Sequence, residues 1–402
     1  MATRRGVTLD PEQVSLPARG WAARLPLVAG GVGVAAAAGA LLLGAGDRAQ
    51  LLHSWLVAFL FFVSLALGGL FFVLLQHLTR AGWSVVVRRL AEHVAATMPL
   101  FLLLLLPLAF GLHDLYHWSH AEAVAADPLL QHKQPWLNAP FFLTRAVAYL
   151  LLWSAMAWWL RRQSQRQDQM GAVVITRRLQ RLSAPGMVLF GVTLTLASFD
   201  WIMSLDPHWY STVFGVYFFS GSAVGIFALL IVLALALQRA GALRGVVTFE
   251  HFHDLGKLLF GFVVFWAYIA FSQFMLIWYA NIPEETAFYA HRWHHGWQTL
   301  SIALAVGHFG LPFFLLLLRD VKRHRLGLWA AASWLLVMHW LDLYWLVMPA
   351  LHEDPAFHLL DPLCLLAVGG LFTATLAALL RRPALVPIQD PRLAESMAFE
   401  NV

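Results

Sequence analysis

Cysteine is nearly absent from this chain. The single Cys364 in 402 residues allows no internal disulfide, no CxxC, no CxxCH haem attachment and no iron–sulfur ligand set. If the protein handles electrons, permanent redox centres sit in partners. Charge is equally scarce. Only 12% of residues are charged and 60% are hydrophobic, against about 25% and about 45–50% in a soluble protein. These counts exclude a water-soluble globule and an intrinsically disordered chain. No P-loop, GxGxxG or nucleophile elbow occurs in a fitting context. The net charge of +5 needs no nucleic acid to explain it, because the arginines fall in the connectors between apolar runs.

What the sequence does have is ten long apolar runs, at roughly 25–45, 55–75, 94–112, 141–160, 186–205, 213–237, 256–280, 298–318, 328–349 and 363–380. Each is long enough to cross about 30 Å of hydrocarbon as a helix. The runs are continuously apolar instead of alternating, which favours helices over a barrel. The expected class is all-α, a polytopic membrane protein with ten transmembrane helices. A cytoplasmic segment 1–24 precedes a membrane domain 25–380, and a tail 381–402 follows it. The first run is longer than the apolar core of a signal peptide, so it is read as a retained span. The Arg- and Gln-rich connector 161–185 is expected to form a surface helix that stops at Ser183-Ala184-Pro185.

Charge asymmetry sets the orientation. With the N-terminus in the cytoplasm, 23 Lys and Arg fall on the cytoplasmic side and four, Arg48, Lys133, Arg145 and Arg292, on the other. A missed or invented span would scramble that split. Both termini are therefore expected inside. The outer side instead carries eleven of the eighteen histidines, among them His113, His117, His120, His208, His291, His294 and His295. That layer reads either as a polar docking surface or as a proton-accepting one; His291-x-x-His294-His295 matches no defined metal site.

Ionisable groups inside spans are costly and usually face the bundle interior. Asp200 shares a helical face with Thr193, Ala197 and Ser204, and that face continues into Asp206-Pro207-His208. Tyr268, Ser272 and Tyr279 share another, with Gln273 beside them. His308 and His339 fall near the midplane of consecutive antiparallel spans, and Asp342 lies one turn outward of His339. Three uses are open for the histidine pair: haem ligation, a hydrogen-bonded core, or a proton relay with Asp342. Gly307 and Gly310 flank His308, whereas no glycine lies near His339 in sequence. Gly221 and Gly225 form a GxxxG near Tyr217 and Ser222, read as close helix packing.

Two stretches are more specific than composition. One is Gly111-Leu112-His113-Asp114-Leu115-Tyr116-His117-Trp118; the other runs from Ser198-Phe199-Asp200-Trp201 through Asp206-Pro207-His208-Trp209 to Tyr217. With ten spans and both ends inside, the chain resembles the second polysulfide-reductase-like (NrfD-type) membrane subunit of alternative complex III, the ActF type. The likeness covers nearly its whole length. That complex is a bacterial quinol:electron-acceptor oxidoreductase of the inner membrane.

The resemblance implies two four-helix bundles, spans 2–5 and 6–9, with the first and last spans peripheral. It implies no covalently bound cofactor here, a paralogous NrfD-like membrane subunit alongside, and iron–sulfur and multihaem cytochrome c subunits on the outer face. The residues it singles out are His113, Asp114, Tyr116 and His117 in the first stretch and Asp200, Asp206 and His208 in the second. Quinol oxidation releases two protons, which ionisable groups at the outer rim could receive. The same imidazoles and phenol could hydrogen-bond the oxygens of a menaquinone or ubiquinone. Asp200, His308, His339 and Asp342 are the candidates for an intramembrane proton route. The chain is thus expected to be a non-catalytic or quinone-interacting subunit of an oxidoreductase. The rival readings are a secondary transporter, which the lack of paired mid-span Gly or Pro interruptions disfavours, and a structural anchor for peripheral redox subunits.

Overall fold

The computed structural model describes residues 9–10, 13–17, 20–381 and 384–401; Arg4, Arg5, Arg19 and Arg382 of the charge count lie outside the described residues. Among the described residues, ten helical segments are long and apolar enough to cross a membrane. They are spans 1 (Trp21–Gly46), 2 (Arg48–Leu78), 3 (Val85–Phe110), 4 (Ala139–Met170), 5 (Val173–Leu205), 6 (Phe214–Arg239), 7 (Phe249–Ala280), 8 (Trp297–Leu317), 9 (Arg325–Ala350) and 10 (Leu360–Leu380). No strand occurs among the described residues. In hydrocarbon a helix is the one open-ended element that satisfies its own backbone, so continuous apolar runs become helices. The protein is an all-α polytopic membrane protein.

Several helices outrun their apolar cores, and one expectation fails. Span 4 continues to Met170, where Gly171 takes a left-handed φ of +59° and breaks the chain direction. The next helix begins at Val173 and passes through Ser183-Ala184-Pro185 without stopping. Glycine at the αL position ends a helix cheaply. Pro185 removes one N–H but does not break a helix whose neighbours hold it, and the Ser183 hydroxyl donates to the Leu179 carbonyl at 2.8 Å. Span 3 starts nine residues earlier than its apolar run and is interrupted around Pro99 and at Leu105.

Burial ranks the spans. The most apolar window of span 2 is 94% buried and that of span 6 is 78% buried, against 22% for span 1. Spans 2 and 6 are accordingly the central posts and pack on each other. Spans 2, 3, 4 and 5 contact one another in a ring, and spans 6, 7, 8 and 9 close a second ring. Span 10 packs on span 2 and carries span 1 on its other side. The span 1–span 10 seam is tight because a Cβ at Gly370 would sit 2.6 Å from the Gly33 Cα. Small residues at a membrane helix seam let backbones approach where no hydrophobic drive exists.

The terminal segments meet on one face. Leu385 N–H donates to the Val14 carbonyl at 2.7 Å, and Leu243 N–H to the Gln13 carbonyl at 2.6 Å. That face is called inner below. There the start of span 3 is buried and polar: Arg88 bonds Asp390 at 2.6 Å, and Arg89 lies 2.8 Å from Asp168 and 3.0 Å from Glu92. Arg88 and Arg89, which the charge count places among the cytoplasmic basic residues, are at most 3% exposed.

Candidate functional site

The second ring encloses a polar cluster built from its four spans and closed by span 2. Asp342 of span 9 accepts from the Tyr217 hydroxyl of span 6 and, at 3.2 Å, from the Trp266 indole N–H of span 7. One turn inward, His339 Nε2 bonds the Ser64 hydroxyl of span 2 at 2.8 Å. His308 of span 8 stacks on Trp266 with ring centroids 3.9 Å apart. It is presented by a π-helical turn, Ala305–Gly310, a geometry often found at functional sites. His308, His339 and Asp342 are each at most 2% exposed. Both ring nitrogens of His308 and Nδ1 of His339 find no hydrogen-bond partner among the described residues.

The glycines that shape this cluster come from another helix. A Cβ at Gly221 would lie 2.9 Å from His339 Cε1 and 3.0 Å from Nδ1, and one at Gly225 3.2 Å from Cδ2. The GxxxG of span 6, read as helix packing, is the berth of the His339 imidazole. Tyr217, Gly221 and Gly225 form one i, i+4, i+8 stripe, so a tyrosine and two glycines face one histidine–aspartate pair.

Asp200 lies elsewhere. It sits in the first ring, where Arg145 reaches it with Nε and Nη2, both at 2.8 Å. Trp136 Nε1 donates to it at 3.0 Å and the Tyr149 hydroxyl at 3.1 Å. The guanidinium is sandwiched near Trp136 and Phe141, 4.1 and 4.2 Å from their ring centres. Asp200 therefore has a dedicated cation, and none of its bonds leads to Asp206 or His208. Asp342 has tyrosine and tryptophan donors and no basic partner within salt-bridge distance among the described residues. The two buried carboxylates are chemically unlike.

Outward of Asp342 the chain opens to a cavity of about 290 Å³ lined by His117, Asp206, His208, Trp209, His291 and Arg292, with apolar walls. Arg292 is buried and donates to three carbonyls, of Phe288, Trp345 and Leu346. Burial lowers its pKa to about 9, opposed by Tyr289, Asp206 and Tyr217, so it stays charged at neutral pH. Burial, with Arg292 and His295 nearby, also lowers the pKa of His291, which keeps that imidazole neutral at pH 7. Tyr289, raised to about 12 by burial, accepts from Gln273 Nε2 at 3.0 Å, and Gln273 Oε1 accepts from Ser211 at 2.9 Å. These side chains step from the level of Asp342 to the outer surface.

The His113–His117 run does not converge on that cavity. The His113 ring lies against His120 at 3.7 Å, and Asp114 is 3.7 Å from Arg48. The Tyr116 hydroxyl donates to the Trp201 carbonyl at 2.9 Å inside the first ring. Only His117 reaches the cavity lining. His208 Nε2 bonds Asp127, and Asp206 accepts from the His208 backbone N–H at 3.2 Å. Of the residues singled out for quinone, only His117, Asp206 and His208 face one space, and the Tyr116 phenol is turned away from it. Tyr268 and Tyr279 of span 7 point outward, 65% and 82% exposed.

Sequence reading missed Trp266, Tyr289 and the service of Arg145 and Arg292. In sequence the two arginines are only outer charges; their burial beside Trp136 and Phe288 shows in the structure. Compared with known proteins, the chain matches no family model and no curated protein. No group of three or more metal-ligating side chains occurs among the described residues.

Proposed function

We propose that this integral membrane protein is the proton-conducting membrane subunit of a bacterial quinol:electron-acceptor oxidoreductase of the alternative complex III type. The observation that carries the reading is the contrast between the two buried carboxylates. Asp200 is neutralised by Arg145 and serves as a fixed strut. Asp342 sits among Tyr217, Trp266 and His339 with no counter-charge, a setting in which a carboxyl group exchanges a proton instead of holding a charge. Asp342 takes a proton from the His339 side, and Tyr217, which bonds it, lies near Tyr289 and Arg292, the latter lining the outer cavity. His117, His208 and His291 at that cavity hand protons to water.

In this reading the chain sits in the inner membrane with both termini in the cytoplasm, as the 23:4 split of basic residues favours. The histidine-rich outer layer docks iron–sulfur and multihaem cytochrome c subunits, and a paralogous NrfD-like subunit lies beside it in the membrane. Quinol oxidation itself belongs to that paralogue. Affinity purification of the tagged chain from its native membranes tests the assignment. Co-isolation of iron–sulfur and c-haem subunits is expected. Recovery of the chain alone, with no haem or iron in stoichiometric amount, would favour a lone transporter and overturn the reading.

A further inference from the structure

A second cavity, of about 460 Å³, lies at the inner end of the second ring, where span 6 ends and span 9 begins. Its lining is Leu235, Gln238, Arg239, Arg244, Gly245 and Arg325. Three arginines around one space at the membrane boundary are unusual in a chain with so few charges, and what surrounds them is more telling. Neighbouring basic groups are already neutralised: Arg323 pairs with Glu250, and Lys257 with Asp254. Lys322 donates to the carbonyls of Leu316 and Leu317. Arg239, Arg244 and Arg325 have no carboxylate within salt-bridge distance among the described residues.

They are held by other means. The Arg239 guanidinium lies 5.8 Å from the Trp329 ring centre, and that of Arg325 4.9 Å from Phe249. Arg244 Nε donates to the Gln238 carbonyl at 2.9 Å. Such contacts orient a guanidinium while leaving most of its donors free. The floor is fixed as well. Gln238 is 5% exposed, and its Nε2 is committed to the carbonyls of Val247 and Leu243 at 2.7 and 3.3 Å. Its Oε1 finds no donor among the described residues. Beside the cavity, Leu326 and Phe249 are exposed apolar side chains, 58% and 50% accessible.

The geometry points to a binding site for an anionic phospholipid whose headgroup is a glycerol bridging two phosphodiesters, the cardiolipin class. Three guanidiniums match two phosphates by bidentate donation. The apolar side chains at the rim receive the acyl chains. Basic pockets between membrane helices at the inner leaflet are suited to such headgroups. The lipid bridges the end of span 6 to the start of span 9 and so braces the two helices that carry Tyr217 and Asp342. The inference stands on this cavity and does not depend on the respiratory role.

The test is lipid retention by the purified full-length chain, measured by native mass spectrometry during titration with cardiolipin or phosphatidylcholine. Inorganic pyrophosphate is added in a separate arm. One cardiolipin per chain is expected, with no saturable phosphatidylcholine. R239Q/R244Q/R325Q should weaken cardiolipin binding about 100-fold, about fivefold per arginine. R166Q/R177Q/R181Q, which removes as many exposed arginines from the inner ends of spans 4 and 5, should leave it unchanged. R244Q alone, on the loop, should weaken it about fivefold and serves if the triple variant does not accumulate. Equal retention by the triple or R244Q variant, equal binding of phosphatidylcholine, or displacement of the lipid by pyrophosphate at comparable concentration would overturn the proposal.

Discussion

Removing the Asp200 carboxylate should destabilise the first ring far more than neutralising Asp342 destabilises the second. In Asp200→Ala the buried Arg145 loses both 2.8 Å contacts, and the Trp136 and Tyr149 donors lose their acceptor. Breaking a buried pair from one side costs about 3–5 kcal/mol, because the stranded charge stays buried. Arg145 keeps the Trp136 carbonyl at 3.0 Å and its two aromatic neighbours. Each cation–π contact is worth about 0.5–2 kcal/mol, which places the net loss near 3 kcal/mol. Asp342→Asn strands no cation; it turns one acceptor into an amide N–H against Tyr217 or Trp266, at a cost of about 1 kcal/mol. Replacing both members, Arg145→Met with Asp200→Leu, should recover part of the loss, since no charge is left behind. Equilibrium unfolding of the full-length chain in mixed micelles reads these differences. Asp200→Ala no more damaging than Asp342→Asn, or a double variant as unstable as the sum of the two singles, would refute the strut assignment.

Gly221→Ala should displace His339, because the new Cβ meets the ring at 2.9 Å; a loss of about 1–3 kcal/mol in the same unfolding assay is expected. Gly370→Leu should open the span 1–span 10 seam, lowering stability and raising protease access to span 1, while leaving the polar cluster intact. Asp127 is held below the usual carboxylate range by the hydrogen bond from His208. A carboxylate with a depressed folded pKa contributes stability above its unfolded pKa, about 3.9, and loses it as pH falls through the folded value. Protection of the 121–133 amides from hydrogen exchange, relative to their intrinsic rates, should therefore fall below about pH 4, and Asp127→Asn should abolish that step. Reporter fusions after residues 125 and 288 should be external and one after 170 internal; the opposite result at any of them would overturn the proposed orientation.

The fold was legible because hydrocarbon imposes one rule on every span: apolar outside, backbone bonded within. Ten apolar runs became ten spans. Where the run and the helix part company, polar groups are buried against other protein. Arg88, Arg89 and Glu92 begin span 3 inside a salt-bridge cluster closed by Asp390, some 300 residues away, and no local pattern announces that pairing. Pro185 read as a stop because its lost N–H is visible in sequence, while the helix packing that tolerates it is not. The histidine–aspartate pair of span 9 was legible from depth and i, i+3 spacing. Its environment was not, since Tyr217, Gly221 and Gly225 face it across a helix seam and Trp266 from a third helix. The Asp200 face was read correctly as buried, but its partner Arg145 comes from an antiparallel neighbour that periodicity cannot align.

The measurement that tests proton conduction through Asp342 most directly is the proton-to-electron ratio of the assembled complex in sealed vesicles, with wild type compared with Asp342→Asn and His339→Leu across pH 6–8. Both variants should assemble with full partner haem content and show a lowered ratio or coupled turnover, with Asp342→Asn the more affected. Normal assembly with a wild-type ratio and a wild-type rate at every pH would contradict the account and leave the cluster a structural core.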